Sequence, residues 1–351
     1  MPSTARHLVD NRSGTKFEMT DTAVSAPCPV CGFTVATPFF DGGLQTLATL
    51  GWPPTAQSAR RMPRYPHDFV QCPKCTHVWN RSFTYDAIPY KNNPNRMFNR
   101  GSIWSGHLTQ TRDLLLRNLP ASPTVVEIGC GEGHFIRGVA AARSGGRYLG
   151  FDVNAAAEEG EGVAFHARLF DPLADVATFQ PDALIIRHLL EHLERPADLL
   201  EQAAWAASKL DKPVWLFTES PCIDRVFETG RLADFFYEHV SHFTQRSYRA
   251  LMERAGAVEE MALGYDGEVI FALVRLDVPR PMLDVSRAAT AFAHAANVSR
   301  STIGSQLDAL AVSGALIAVW GGSGKATAFI NQFGADSTTW LSSSWVNSNS
   351  V

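Results

Sequence analysis

Val125-Val126-Glu127-Ile128-Gly129-Cys130-Gly131-Glu132-Gly133-His134-Phe135 is the stretch whose reading decides the fold. A short apolar run enters three alternating glycines and leaves through a helix-like segment, so the order is strand, turn, helix. Glycines after a strand permit a tight turn and let the backbone approach a ligand, at the opening of a helix whose unbonded amides face it. The spacing Gly-x-Gly-x-Gly is shorter than the dinucleotide fingerprint, and Glu127 precedes it within the strand, which disfavours a pyrophosphate site. Asp152 lies 23 residues beyond Gly129, at the end of the apolar run Tyr148 to Val153. A carboxylate placed there accepts both hydroxyls of a ribose. Glu127, Gly129, Gly131, Gly133 and Asp152 together point to an adenosine-bearing cofactor of the S-adenosylmethionine kind.

Working outward, Leu108 and Leu114 to Leu116 have helical spacing ahead of this strand, while Ala183 to Ile186 and Val214 to Phe217 read as further strands. Helix-like segments at 197–210 and 246–255 fall between or after them. The alternation predicts an α/β fold built on a doubly wound, mostly parallel, Rossmann-like sheet. Val269 to Val274 adds a late strand that the sequence leaves free to run antiparallel at an edge. Asp171 stands where the third strand should end; it is a candidate to bond an adenine amine, and equally an ordinary turn aspartate.

The chain has 351 residues, 45% of them hydrophobic and 19% charged, with a net charge of -4. That length suits more than one structural unit, and that balance offers no broad positive field for nucleic acid. No apolar run approaches membrane-spanning length and the first residues lack a secretory signal's apolar stretch, so the cytoplasm is the expected compartment. Four of the six cysteines fall as Cys28-Pro-Val-Cys31 and Cys72-Pro-Lys-Cys75, with forty residues between the pairs. In a reducing compartment such pairs read as thiolate knuckles for one structural zinc, with His67 or His77 as substitute ligands. The expected organisation is a flexible lead at 1–27, a loop-rich zinc-binding unit at 28–100, a core at 101–278 and a partial C-terminal α/β unit at 279–351. In that last unit an Ala-rich helix at 286–312 precedes the apolar run Leu316 to Trp320 and Gly321-Gly-Ser-Gly-Lys325. Ala326 and Val319 break the phosphate-binding loop pattern there. Too few residues follow Lys325 for a closed sheet, and the uncharged stretch 337–351 reads as a frayed tail.

The segment from about 122 to 275 resembles the class I methyltransferases, and Asp182-Ala-Leu-Ile-Ile-Arg-His188-Leu-Leu-Glu191-His192 is similar to their fourth strand and following turn. The resemblance implies that His188 lies beside the methionine end of the cofactor. A four-cysteine unit ahead of such a core resembles, more narrowly, the sugar C-methyltransferases that act on nucleotide-linked 4-keto-deoxysugars. Phe235-Phe-Tyr237-Glu238-His239-Val-Ser-His242-Phe-Thr244 is similar to that family's Tyr/Glu/His segment, and Trp320 to Thr327 to the start of its C-terminal domain. Two departures stand out. Phe236 occupies the place of a tyrosine, and the tyrosine expected from the N-terminal unit has only Tyr90 or the position of Phe98 to answer to.

The resemblance implies a small-molecule acceptor, a sugar nucleotide among the choices, with Tyr237, Glu238 and His239 at the active site. His239 would take a proton from carbon next to a ketone, with Glu238 orienting it, because imidazole titrates near neutrality. An O- or N-methyltransferase of the same fold is the first rival reading, since the cofactor site does not choose the acceptor. A zinc-ribbon interaction protein with an inert core is the second.

Overall fold

The computed structural model describes residues 23–90, 99–155, 162–315 and 324–334. In chain order its strands are β1 (Val24–Ser25), β2 (Val35–Gln45), β3 (Tyr65–Gln71), β4 (Val78–Asn80), β5 (Thr124–Ile128), β6 (Arg147–Phe151), β7 (Val163–His166), β8 (Ala183–Arg187), β9 (Trp215–Pro221), β10 (Ser241–His242), β11 (Gly256–Gly264) and β12 (Val269–Leu276). The helices are α1 (Ala56–Arg60), α2 (Ser102–Arg117), α3 (His134–Ala142), α4 (Pro172–Phe179), α5 (Pro196–Ala207), α6 (Asp224–Thr229), α7 (Gln245–Met252), α8 (Arg280–Val312) and α9 (Lys325–Phe333). The chain divides into two compact units, 1–278 and 279–351.

The larger sheet runs β11-β12-β9-β8-β5-β6-β7. Strands β5 to β9 are mutually parallel. This is the doubly wound α/β sheet expected from the alternating pattern, and its order reverses at β5, which is flanked by β6 and β8. Ligands bind such sheets at the carboxyl ends of the strands beside that reversal. β12 is antiparallel, as the sequence allowed, but it lies inside the sheet because β11 pairs on its far side. The core is sealed by α2 and α3, whose Leu114, Leu115, Phe135, Ile136 and Val139 pack on Val125, Ile185 and Phe217.

The N-terminal region departs from expectation. It is not loop-rich: β1 to β4 form an antiparallel sheet whose fifth member is β10, contributed by the chain well after β9. β2 was hidden from periodicity because its register against β3 slips twice, between Pro38 and Phe40 and between Asp41 and Gly43. Each bulge adds a residue and inverts the alternation of faces that marks a strand. The sheet's aromatic core joins Phe69 and Val78 to Ile223, Val226 and Phe235.

In the second unit the expected helix is α8, one long helix with no buried residue. Leu316 to Trp320 lies outside the described residues, as do most of the lead and the tail at 337–351. No described helix is long and apolar enough to cross a membrane.

Several histidines of the first unit are held neutral by burial. His242 is pushed down to about 4, and His67 and His239 are also lowered, burial being the leading cause for all three. The folded state then binds fewer protons than the unfolded state, whose histidines titrate near 6.5, so stability is intact above about 6.5 and is lost as pH falls toward 4. The melting temperature should drop across that window. A His242→Phe variant should show a shallower drop, and an unchanged slope would show that His242 does not contribute.

Candidate active site

At the carboxyl ends of β5, β6, β8 and β9 lies a cavity of about 1420 Å³. Glu127, Gly129, Gly131, Asp152, His188 and His239 all line it. The turn after β5 is fixed from below, where the Gly129 and Cys130 amides donate to the Phe151 carbonyl at 2.7 and 3.1 Å. Asp152 holds it from the side. Its Oδ2 accepts the Gly131 amide at 3.0 Å and its Oδ1 the Asn154 amide at 2.8 Å. Gly131 has φ +54 with open space where a Cβ would stand, whereas a Cβ on Gly129 would press on Leu189 at 3.0 Å. A side chain is therefore disfavoured at both by the left-handed backbone, and at Gly129 the Leu189 side chain would also have to give way.

Glu127 accepts the Ile136 amide at 3.0 Å, tying α3 to β5. Burial pushes its carboxyl up to about 7, against the opposing charge of Arg187. Gly133 is not on the cavity wall. It is the N-cap of α3 in a left-handed conformation, and a Cβ there would collide with the Phe165 ring at 2.5 Å. Asp171 likewise turns out to be the N-cap of α4, its carboxylate accepting the Leu173 and Ala174 amides. Its neighbours Leu169 and Phe170 reach the cavity instead.

Beneath the floor is a charged cluster that no sequence spacing announced. Glu219, at the end of β9, is completely buried and meets Arg187 at 2.6 Å, His107 at 2.5 Å and His188 at 2.9 Å. His188 has φ +49, and its other ring nitrogen lies 3.3 Å from Glu191. A ring flanked by carboxylates at both nitrogens is an imidazolium: burial works against the charge, but the bonds to Glu191 and Glu219 prevail and hold His188 at about 9. Glu219 stays well below the usual carboxylate range, because Arg187 and the two histidines outweigh its burial. The one sequence signal for Glu219 was an acid two residues after the apolar run Val214 to Phe217.

The other end of the cavity corrects the expected Tyr237-Glu238-His239 trio. A turn at 237–238 sends the three side chains to different surroundings, and only His239 lines the cavity. Glu238 is fully buried and accepts the Ala48, Thr49 and Leu50 amides at 3.1, 2.7 and 3.0 Å, plus the Thr49 hydroxyl at 3.1 Å. Its acceptor capacity is spent on that loop, so it does not orient His239. The Tyr237 hydroxyl accepts the Thr84 amide at 3.0 Å, and its ring stacks on Tyr65. His239 instead packs edge to face on His192, and burial together with His192, His242 and His188 holds its pKa well below the ordinary value. The ring is neutral. His192 Nδ1 lies 2.7 Å from the Glu238 carbonyl and 3.0 Å from the Tyr90 hydroxyl, which places Tyr90 on the same wall.

Away from the cavity the four cysteine sulfurs lie within 4.8 Å of one another. Cys28 and Cys75 are 3.6 Å apart, as are Cys31 and Cys72. These separations are too long for disulfides and close to the ~3.8 Å edge of a tetrahedron with 2.3 Å metal–sulfur bonds. His67 and His77 are not part of this cluster; their buried ring nitrogens make no hydrogen bonds and their rings lie against aromatic neighbours.

Residues 104–258 match the family model described as a methyltransferase domain. This segment is similar to methyltransferase domains, over a little under half of the chain. It contains the glycine turn, Asp152, the Glu219 cluster and His239. No curated protein matches the chain. Among solved structures, a chain of the complex between the Haloferax volcanii Trm112 methyltransferase activator and its methyltransferase is similar at 14% identity and TM-score 0.38, over 49% of this chain and 90% of that one. N,N-8-amino-8-demethyl-D-riboflavin dimethyltransferase from Streptomyces davawensis is similar at 21% identity and TM-score 0.37, over 48% and 54%. Human N-acetylserotonin methyltransferase in complex with SAM is similar at 15% identity and TM-score 0.38, over 56% and 63%. At these scores no acceptor is carried across to this chain.

Replacing Glu219 by Gln should cost the methyltransferase domain about 3–5 kcal/mol, because buried Arg187 and His188 lose their counter-charge. Urea unfolding measures this, and a loss below about 1 kcal/mol would mean that the cluster relaxes around the amide.

Proposed function

We propose that this chain transfers the methyl group of S-adenosylmethionine to carbon, on a nucleotide-linked keto-deoxysugar or a similar carbon acid. The observation that carries the reading is the cavity-lining imidazole of His239, packed on His192 and kept neutral by burial. Bound S-adenosylmethionine supplies an electrophilic methyl. Asp152 and the Gly129–Gly131 turn would hold its adenosine portion, and His188 would stand at the methionine end. His239 accepts the proton of the carbon beside the ketone, the resulting enolate carbon forms the new bond to methyl, and the carbon–sulfur bond breaks with its electron pair left on sulfur. Tyr90, whose phenol burial keeps protonated, stands beside His192 where it can donate a hydrogen bond to the developing enolate oxygen. Tyr237 and Glu238 serve this site by fixing the chain just before the base. O- or N-methylation needs the same cofactor contacts, and a carbon-bound methyl in the product separates these readings.

The four-thiol cluster fits a structural zinc held by Cys28, Cys31, Cys72 and Cys75. Closed by four sulfurs, such a site leaves no position for substrate. The purified protein should carry about one zinc per chain, lost in a Cys72→Ser variant, as metal analysis can measure. A metal-free preparation that keeps the N-terminal sheet folded would count against it.

Asp152→Ala should weaken S-adenosylhomocysteine binding about tenfold or more by calorimetry, through loss of the turn's anchor and the ribose acceptors. His239→Asn should bind that ligand normally yet fall at least a hundredfold in transfer to a nucleotide-linked 4-keto-deoxysugar. Near-normal turnover of that variant would move the base elsewhere, with His192 next in line.

A further inference from the structure

The cysteine knuckles and the proposed base are far apart in sequence, but the fold connects them through a short run of bonds. The Cys72–Cys75 knuckle leads directly into β4, and β4 pairs with β10, placing Val78 opposite His242 and Trp79 opposite Ser241. Beyond that pairing, the Asn80 amide donates to the Val240 carbonyl at 2.9 Å, one residue from His239. The hydroxyls of Thr76 and Thr244 are 2.6 Å apart. Thr244 is also the N-cap of α7, in a reciprocal pair with Ser247.

Two arginines complete the link. Arg246, on α7, donates to the carbonyl of Lys74, inside one knuckle, at 2.6 Å. Arg254 donates to the carbonyl of Val30, inside the other, at 2.6 Å. Both knuckles are thus held by the segment that follows His239, at backbone carbonyls whose positions depend on the four sulfurs converging. The His239 ring rests against His192, Phe236 and His242, its backbone amide donates to the Phe236 carbonyl within a turn, and Glu238 anchors the chain before it, so the knuckles bear on the side that follows it.

We propose that the four-cysteine site sets the position of the His239 imidazole in the cavity, with Thr76, Thr244 and Arg246 as the positioning residues that transmit it. This rests on the reading of the cysteines as a metal site and of His239 as the acceptor base. A metal that closes the knuckle fixes the Lys74 carbonyl and the start of β4; β4 fixes β10; β10 and the cap of α7 leave His239 one place to stand. Loss of the metal, or of the bonds that relay it, lets the segment 239–244 shift while the cofactor turn, built on β5 and β6, remains as it was.

The decisive variant is Arg246→Met, because Arg246 is exposed and does not line the cavity, so the substitution leaves the core and the cavity wall untouched. Thr76→Val removes the second link and also the bond from the Thr76 hydroxyl to the Cys75 carbonyl, so zinc content is measured on each single variant as well. Arg249→Met, exposed on the same helix, is the control. The full chain with histidine-selective labelling is followed by NMR, and the His239 signal is assigned by its loss in a His239→Gln variant. The combined Arg246→Met and Thr76→Val protein should keep one zinc per chain and unchanged S-adenosylhomocysteine affinity. Its His239 ring signal should shift, the amides of Ser241 and His242 should exchange about tenfold faster, and turnover should fall about tenfold through kcat, as displacement of a reacting group by a fraction of an ångström demands. An unmoved His239 signal with unchanged exchange at 241–242 would overturn the coupling. A displaced ring with undiminished turnover supports the coupling and overturns instead the base role of His239.

Discussion

The pairing of Ser241 and His242 with Val78 and Trp79 brings a strand formed late in the chain onto the edge of a sheet formed early. Only two residues on each side are involved, yet without them the N-terminal sheet would end at β4 with an open edge. The pairing also fixes the end of the run between β9 and α7 that carries His239. Backbone pairing supplies direction and register at once, so a two-residue match defines where Val240, and with it His239, must lie. The aromatic cluster of Phe69 with Ile223, Val226 and Phe235 reinforces the same junction by excluding water from it.

Electrostatics divides the cavity into two regimes. Near the glycine turn, carboxylates meet cations or amides in the protein: Glu219 with Arg187 and two histidines, Asp152 with two backbone amides. Charge is balanced there before any ligand arrives, so little reorganisation accompanies binding. Around His239 burial and neighbouring histidines favour neutral rings. A buried imidazole with a lowered pKa is unprotonated at neutral pH and so can accept a proton, though as a weaker base than an exposed one. A floor of balanced charge and a wall of neutral histidine suit a reaction that begins with one cationic partner and must generate an anionic one.

Much of this was legible in the sequence where chemistry and spacing coincide. The β5 turn, Asp152, the β8 turn with His188, and the paired cysteines each announce themselves within a dozen residues, because local backbone demands fix residue type. What escaped depends on contacts between distant segments. Glu219 and His107 are 112 residues apart and no periodicity joins them. β2 was obscured by its bulges. Tyr237, Glu238 and His239 read as one trio because they are adjacent, but adjacency in a turn disperses side chains where in a helix or strand it would align them. Phe236, which seemed a loss where a tyrosine was expected, packs on the His239 ring at a centroid distance of 4.1 Å.

The way Glu238 holds residues 48–50 bears on how such a cavity changes over evolutionary time. Three of its four bonds are to main-chain amides, which every residue except proline can provide. Thr49 is on the cavity wall and Trp52 is exposed just beyond it. The anchor therefore carries almost no information about which side chains the loop displays. Leu47 and Leu50 stay in the apolar cluster with Ile88 and Tyr237, but substitutions at Ala48, Thr49 and Trp52 can remodel the surface beside the cavity while the carboxylate keeps its grip, so one scaffold can acquire new acceptors through side chains that the anchor does not constrain.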